Sequence, residues 1–197
     1  MTATAAPFGL TPARKLGQNK NSEGVSTYRI ANAFAGNIFT GDLVRLNVVN
    51  GTITAVSAST NLGIGVFLGC QYNDPNNNNR PRWNNYWPTG TSVTDGSQPV
   101  AFVADDPWQT FYIQADASVS VGDIGRTFSV SVSAGNTTTG QSRYSLNAGS
   151  RSLDNVAHLQ MVDVKDVPGN VLSDAFTIVE VLIRNHFWNS NSAASIA

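Results

Sequence analysis

Residues 43–56, Leu-Val-Arg-Leu-Asn-Val-Val-Asn-Gly-Thr-Ile-Thr-Ala-Val, decide the fold of this chain. Two runs rich in β-branched and other apolar residues, 43–49 and 52–56, flank the dipeptide Asn50-Gly51. Asn-Gly between two such runs is the strongest short-range hairpin signal, and it predicts a two-residue type I′ turn. The stretch therefore predicts a pair of antiparallel strands.

Strand patterns continue on both sides of this hairpin. Residues 126–132 alternate, with Phe128, Val130 and Val132 on one face, as expected for a strand with one buried side. Residues 176–184 are apolar on both faces, which predicts a strand buried between two layers. Further strands are predicted at 27–30, 65–72, 100–104, 110–115, 143–147 and 158–164. The chain is predicted to be all-β, with an antiparallel sandwich or barrel-like body.

A weak internal repeat suggests that this body has two halves. Gly41-Asp42 and Gly122-Asp123 each follow a predicted strand headed by Tyr, and each precedes a hairpin. In each pair we expect Gly to supply the positive φ of a tight turn and Asp to bond nearby backbone. One interpretation is two related β modules, residues 27–106 with a long loop at 73–88 and residues 107–188. The other is chance similarity among strand-rich segments. Residues 189–197 are predicted to be a flexible C-terminal tail.

The first 26 residues follow neither period, because Pro and Gly interrupt every candidate element. We expect an extended arm, which at about 25 residues could span up to ~80 Å. Its spaced apolar anchors and excess of basic residues suit attachment to an acidic surface on a neighbouring molecule. The alternative is a frayed terminus. The arm residues predicted to bind a partner are Pro7, Phe8, Leu10, Arg14, Lys15 and Leu16.

The aromatic loop, residues 72–88, has an Asn-rich tip followed by Trp83, Tyr86 and Trp87. These three rings are also predicted to bind a partner, and three destinations compete. They could fold back over their own sheet, form hot spots in a subunit or capsid contact, or stack on sugar rings. Stacking on nucleic acid bases is disfavoured, because only Arg80 and Arg82 lie nearby to engage phosphate.

The charge balance and the scarcity of reactive residues argue against an enzyme. Lys and Arg number 12, Asp and Glu 13, and the net charge of −1 gives no field to attract nucleic acid. The single cysteine, Cys70, excludes an intramolecular disulfide and a Cys-rich metal site. The two histidines, His158 and His186, lie in no catalytic motif. We predict no catalytic residues, no metal site and no cofactor.

The sequence shows neither a membrane-spanning segment nor a secretory signal. No run approaches the 18 apolar residues of a membrane span, and the first residues do not form a secretory signal. We therefore expect a protein that binds neither nucleic acid nor membrane.

Several segments resemble virion structural proteins encoded by tailed phages: 6–16, 28–31, 41–44, 63–72, 86–88, 105–107 and 183–186. More distantly, the order Gly-Asp-Leu-Val, strand, Asn-Gly turn, strand, Ile-Gly-Val resembles the hairpin core of lambda-type head decoration proteins. The chain is considerably longer than those proteins, and its second module has no counterpart there.

The resemblance implies a capsid decoration or cement protein, made in the host cytoplasm and located on the capsid surface of the virion. Its partners would be the major capsid protein and itself, as a symmetric homo-oligomer with a trimer favoured. It would stabilise the shell by bridging neighbouring capsomers, with the N-terminal arm contributing to attachment. The alternative function is a carbohydrate-binding or fibre-associated virion adhesin that uses the loop 72–88.

Overall fold

Short strands make up most of the regular structure. The structure, a computed structural model, describes residues 4–17, 24–57, 62–153 and 157–189. Its strands are β1 (Thr11–Lys15), β2 (Val25–Arg29), β3 (Ile38–Phe39), β4 (Leu43–Asn47), β5 (Thr52–Ala55), β6 (Gly65–Asp74), β7 (Arg80–Asn84), β8 (Tyr86–Trp87), β9 (Val100–Ala104), β10 (Gln109–Gln114), β11 (Thr127–Phe128), β12 (Val130–Ser131), β13 (Ser145–Leu146), β14 (Leu159–Val164) and β15 (Ile178–Ile183). The helical elements of the described residues are four 3-10 turns, Pro75–Asn77, Val121–Asp123, Ala148–Ser150 and Phe187–Asn189. The all-β prediction is confirmed.

Five strands of the first half close into a small barrel. Their order is β4-β5-β2-β9-β6, and the barrel closes because β4 also pairs with β6 through Leu43↔Val66 and Val44↔Gly65. β7 pairs with the other end of β6 and extends the sheet beyond the barrel. Alternate residues point inward, as the period-two pattern requires. They form one buried cluster with residues of β3, β8 and the connecting segments: Ile30, Ile38, Val44, Ile53, Ile64, Phe67, Cys70, Tyr72, Trp87, Val93, Ala101 and Val103.

Four strands of the second half and β1 of the N-terminal segment form a five-stranded antiparallel sheet in the order β1-β10-β15-β14-β11. Its inner face shares one hydrophobic core with the outside of the barrel, where barrel residues such as Leu43 and Val66 cluster with Phe111 and Val181. The chain passes from barrel to sheet through the turn at residues 105–108. All residues of β15 after Ile178 are buried, as predicted for a strand between two layers. Whether the halves are a duplication stays a prediction.

The hairpin that decides the fold forms, but its turn differs from the predicted one. β4 and β5 close at Asn47↔Thr52, so the loop has the four residues 48–51 instead of two. Of these, Gly51 alone has a positive φ, of +68°, whereas a type I′ turn needs two such residues. The side chains of Asn47 and Asn50 accept the amides of Val49 and Thr52 at 3.1 and 3.2 Å and stabilise the wider loop.

The predicted long loop at 73–88 is mostly ordered as strands, so this prediction is corrected. Asp74 caps a 3-10 turn by accepting the amide of Asn76 at 2.9 Å, and Asn78 and Asn79 take left-handed φ values of 51° and 54°. Asn tolerates this conformation better than most residues. The chain therefore reverses within a few residues and returns as β7 beside β6.

The single strand predicted at 126–132 is also wrong in detail. It divides at Ser129 into β11, which pairs with β14, and β12, which pairs with β13. The Ser129 amide donates to the Ser150 hydroxyl at 2.8 Å instead of to a strand. Phe128 and Val130 are buried as predicted, but Val132 lies beyond the break and is 48% exposed.

Candidate functional site

The N-terminal segment lies against its own sheet. β1 pairs antiparallel with β10, with an irregularity between Pro12 and Lys15. Before the strand, the Ala6 amide donates to the Gln114 side chain at 2.8 Å. At its end, the Thr110 hydroxyl donates to the Arg14 carbonyl at 2.7 Å. Residues 4–17 are extended as expected, but they follow β10 instead of leaving the body. Residues 18–23 lie outside the described residues.

Within this segment, Phe8 to Leu10 occupy a slot between the two halves of the fold. The Gly9 amide donates to the Tyr144 carbonyl at 3.1 Å, and the Leu10 amide donates to the Gly41 carbonyl at 2.8 Å. Gly9 has a φ of +75°, and a Cβ there would meet the Ser142 Cβ at 2.5 Å, so only glycine fits. Leu10 is 1% exposed and belongs to the shared core. The prediction that Leu10 anchors a partner is therefore wrong, because its side chain is already buried.

The basic residues of the segment also find partners within the chain. Arg14 Nε lies 2.7 Å from Glu180 Oε1, and Lys15 pairs with Asp106. Arg14 remains 58% exposed at its side chain, whereas that of Lys15 is 8% exposed. The acidic partners of this segment were expected on a neighbouring molecule. For these two cations they are instead Glu180 in the second sheet and Asp106 in the 105–108 turn of the same chain.

The remaining predicted residues of the segment are partly accessible. Pro7, Phe8 and Leu16 are each of intermediate exposure. The amide of Leu16 donates to the Trp108 carbonyl at 3.0 Å, which ties the end of the segment to the turn between the two sheets. These residues can contribute the edge of a contact but not its centre.

The three rings of the aromatic loop have three different environments. Trp87 is fully buried in the barrel, edge-on to Tyr72 with ring centroids 5.3 Å apart. Tyr86 is half-buried and stacks on Phe39 at 5.6 Å. Trp83 is 57% exposed and leans on Phe102 at 4.9 Å. Fold-back onto the own sheet is therefore correct for Trp87, and only Trp83 of the three presents a large open surface.

Two further exposed tryptophans were missed by the sequence reasoning. Trp108 is 55% exposed and follows the Asp105-Asp106-Pro107 turn, and Trp188 is 59% exposed near the C-terminal end. The Trp188 indole donates to the Tyr28 hydroxyl at 3.3 Å, and that hydroxyl donates to Asp105 at 2.6 Å. A tryptophan next to an Asp-Pro turn was the available signal for Trp108. We call the exposed indoles Trp108 and Trp188, together with the 105–108 turn to which hydrogen bonds join them, the seam surface.

The two carboxylates of the 105–108 turn accept hydrogen bonds from other groups of this chain. Asp105 also accepts the Ser26 hydroxyl at 3.0 Å, and Asp106 accepts the Trp108 amide at 2.8 Å. Burial alone would raise the pKa of Asp106, but Lys15 and this amide outweigh it and hold the pKa below its ordinary value. Burial, followed by the bond to Asp105, raises the pKa of Tyr28 to about 12. Hydrogen bonds within the chain therefore fix the turn that supports the two exposed indoles, and Lys15 pairs with the charge of Asp106.

The two Gly-Asp turns share one hydrogen-bond pattern. Asp42 accepts the Phe39 amide at 2.8 Å and donates its own amide back to the Phe39 carbonyl at 2.9 Å. Asp123 exchanges the same pair of bonds with Ser120, at 2.9 and 3.0 Å. The expected positive φ occurs at Gly41 but not at Gly122, which is part of a 3-10 turn. Both carboxylates are 2% exposed, which suits a structural role.

The environments of the two carboxylates differ electrostatically. Burial raises the pKa of Asp42 to about 6, despite the bonds from Phe39 and Ser142. Burial also acts on Asp123, but the bonds from Ser120 and the charges of Arg151 and Arg126 lower its pKa below the ordinary value.

The groups with catalytic potential are enclosed. Burial raises the pKa of the Cys70 thiol to about 12, so it is protonated at neutral pH. His186 is 1% exposed, burial lowers its pKa, and its Nδ1 accepts the Trp188 amide at 3.2 Å. Among the described ranges, no three His, Cys, Asp or Glu side chains are grouped so that they could hold a metal. The same ranges contain no helix with the length and apolar character needed to cross a membrane.

Comparison of the chain with protein-family models, with curated proteins and with solved structures finds no match.

Proposed function

We propose that this chain is a capsid decoration protein of a tailed phage, which attaches to the outside of the shell through the seam surface. The observation that carries the proposal is the pair of indoles, Trp108 and Trp188, each more than half exposed, one on the 105–108 turn and the other joined to that turn through Tyr28. The shell is proposed as the partner because several segments of the sequence resemble virion proteins. Localisation on the capsid surface and synthesis in the host cytoplasm belong to the same proposal.

Exposed tryptophans on a rigid base suit a protein contact for two reasons. Trp is enriched at interface hot spots, and large exposed apolar side chains commonly mark interaction sites. The Trp188 indole is held by Tyr28, so it has less side-chain freedom to lose on binding, and the bond to Asp106 fixes the backbone at Trp108.

The low charge of the body is compatible with many copies on one shell. The cations nearest the seam surface are already paired, so neighbouring copies would repel one another little. Many equivalent attachment points let each individual contact be weak, because avidity multiplies them. We include in the proposal a symmetric homo-oligomer, with a trimer favoured, that bridges neighbouring capsomers. Light scattering of the purified protein measures its mass and tests this part.

The experiment begins with mass spectrometry of purified virions of the phage that encodes the chain. The protein is expected in the particle, and its absence there would overturn the proposal. Capsids assembled from the major capsid protein alone are then sedimented with the purified chain. Wild type is expected to co-sediment, and Trp108→Ala with Trp188→Ala should weaken binding by about tenfold or more. Leu153→Ala, at a position 82% exposed outside the seam surface, is the control expected to bind as wild type.

A further inference from the structure

The outer face of the barrel carries an aromatic ring that packs over a glycine of the neighbouring strand. The Trp83 ring, on β7, leans on Phe102 of β9, with centroids 4.9 Å apart and planes inclined at 52°. It passes over Gly69 of β6, where a Cβ would lie 2.5 Å from Trp83 Cζ2. Gly69 has a φ of +151° and follows an irregularity in the β6–β9 pairing. The missing side chain and the bulge together seat the ring against the sheet.

The exposed residues around this ring are polar, whereas its half-buried neighbours on β9, Phe102 and Val100, are apolar. Gln71 is the register partner of Trp83 and also pairs with Val100, whose partner on β2 is Arg29. Thr27 is the β2 partner of Phe102. Gln71, Arg29 and Thr27 are all exposed. At about 4.8 Å between strands, Arg29 lies about 14 Å from Trp83 across the sheet, with Gln71 between them.

We propose that this face binds a glycan, with a neutral pyranose ring stacked on Trp83 and its hydroxyls bonded to Gln71. The C–H bonds on one side of a pyranose carry small positive charges, which suit the negative face of an indole. The carboxamide of Gln71 offers both donors and an acceptor to hydroxyl groups. Thr27 and Arg29 on β2 carry further polar groups on the same face, beyond Phe102 and Val100 of β9, so a short oligosaccharide would lie across β7, β6, β9 and β2. This inference is independent of capsid attachment through the seam surface.

Other ligands fit this face less well. Side chains alternate along a strand, so Arg82 points to the side opposite Trp83, where it bonds Asp74 at 2.8 Å. That leaves little positive charge beside the ring for a nucleic acid backbone. The nearby carboxylate of Asp95 accepts the Asn73 amide at 2.6 Å, so it is already engaged. The apolar surface here is the Trp83 ring with the half-buried Phe102 and Val100 beside it, which is small for the apolar centre of a protein interface.

The test uses the full chain in native gels cast with neutral polysaccharides: dextran, glycogen, hydroxyethyl cellulose and galactomannan. Retardation in at least one gel is expected for wild type. Trp83→Ala should lose about tenfold in affinity, and Gln71→Ala, which keeps the ring, should lose a smaller factor. Leu153→Ala is the control, since Leu153 is 82% exposed and lies in the second half of the chain, outside both surfaces. It should be retarded as wild type.

Three outcomes would overturn the proposal. They are no retardation of wild type in any of the four gels, equal retardation of wild type and Trp83→Ala, and Trp83-dependent binding of an oligothymidylate without binding of any polysaccharide. The last would assign the ring to base stacking. Thermal unfolding of each variant shows whether a loss of binding reflects the site or the fold. Should Trp83→Ala fail to fold, Gln71→Ala decides alone, and its unchanged retardation would count against the proposal.

Discussion

Arg14 on β1 reaches across β10 to Glu180 on β15, with Nε 2.7 Å from Oε1. Glu180 is 4% exposed, so this N-terminal arginine neutralises a carboxylate enclosed by the sheet. When one member of an ion pair is enclosed, removing the other member destabilises the fold, because the enclosed charge has lost its water and no longer has a partner. The N-terminal segment therefore supplies the charge that compensates an enclosed carboxylate of the body.

Arg14→Ala should lower the melting temperature, because it leaves Glu180 without this guanidinium. Solvent at the exposed arginine moderates the effect, so we expect a shift of about 2–4 °C for a chain of this size. Adding Glu180→Gln should recover most of the loss, since the enclosed charge is then removed as well. Arg143→Ala, at another exposed arginine, should change the melting temperature little. Equal shifts for Arg14→Ala and Arg143→Ala would contradict the argument.

Leu10→Ala tests whether the segment belongs to the core. Leu10 is 1% exposed among core residues, and truncating such a leucine lowers the free energy of unfolding by about 2–4 kcal/mol. Leu153→Ala, at a position 82% exposed, should change it by no more than about 0.5 kcal/mol. Urea unfolding of the two variants gives the comparison. If residues 4–17 left the body in solution, the two substitutions would have equally small effects.

The strands could be predicted from the sequence where one face is buried, and β1 shows where this fails. Period-two alternation and the Asn-Gly signal indicated the strands of the barrel, because burial on one side imposes that pattern. β1 is an edge strand that contains Pro12 and pairs irregularly, so neither period appears in it. Pro is tolerated there because an edge strand leaves some of its amides unpaired.

The candidate sites depended on tertiary packing, which residue types do not encode. Trp83 and Trp87 lie in the same short segment, yet one is 57% exposed and the other is fully buried. Strand pairing decides between them, since Trp87 on β8 faces the barrel interior and Trp83 on β7 faces out over Gly69. The seam surface needs Trp108 and Trp188, which the chain separates and the fold joins to one turn through Asp105 and Asp106.

Gly69→Ala tests the seat of the Trp83 ring. A methyl group at this position would collide with Trp83 Cζ2 and would require a φ that favours glycine. We expect the free energy of unfolding to fall by about 1–3 kcal/mol and the tryptophan fluorescence to change as the ring is displaced. Gly122→Ala is the control, because its φ is ordinary and the nearest atom to a new Cβ is the Ser120 hydroxyl oxygen at 3.8 Å. Unchanged fluorescence in Gly69→Ala would show that the ring does not rest on this glycine.

The two Gly-Asp turns should respond oppositely to pH. The pKa of Asp42 is raised from 3.8 to about 6 in the folded protein. Its contribution to stability is therefore complete below the unfolded pKa and is lost as pH rises through about 6. A difference of about two pKa units corresponds to about 3 kcal/mol. The pKa of Asp123 is lowered, so its contribution is present above the unfolded pKa and is lost as pH falls through the folded value.

Urea unfolding of Asp42→Asn and Asp123→Asn between pH 3 and pH 8 separates these contributions. Relative to wild type, Asp42→Asn should lose the decline in the free energy of unfolding between about pH 4 and pH 6. Asp123→Asn should lose a rise in the acid range instead. Both carboxylates make the same pair of backbone bonds, so this contrast reports their other differences: burial, which prevails at Asp42, and the Ser120 hydroxyl with the charges of Arg151 and Arg126 at Asp123. Parallel pH profiles for the two variants would contradict these opposite pKa directions.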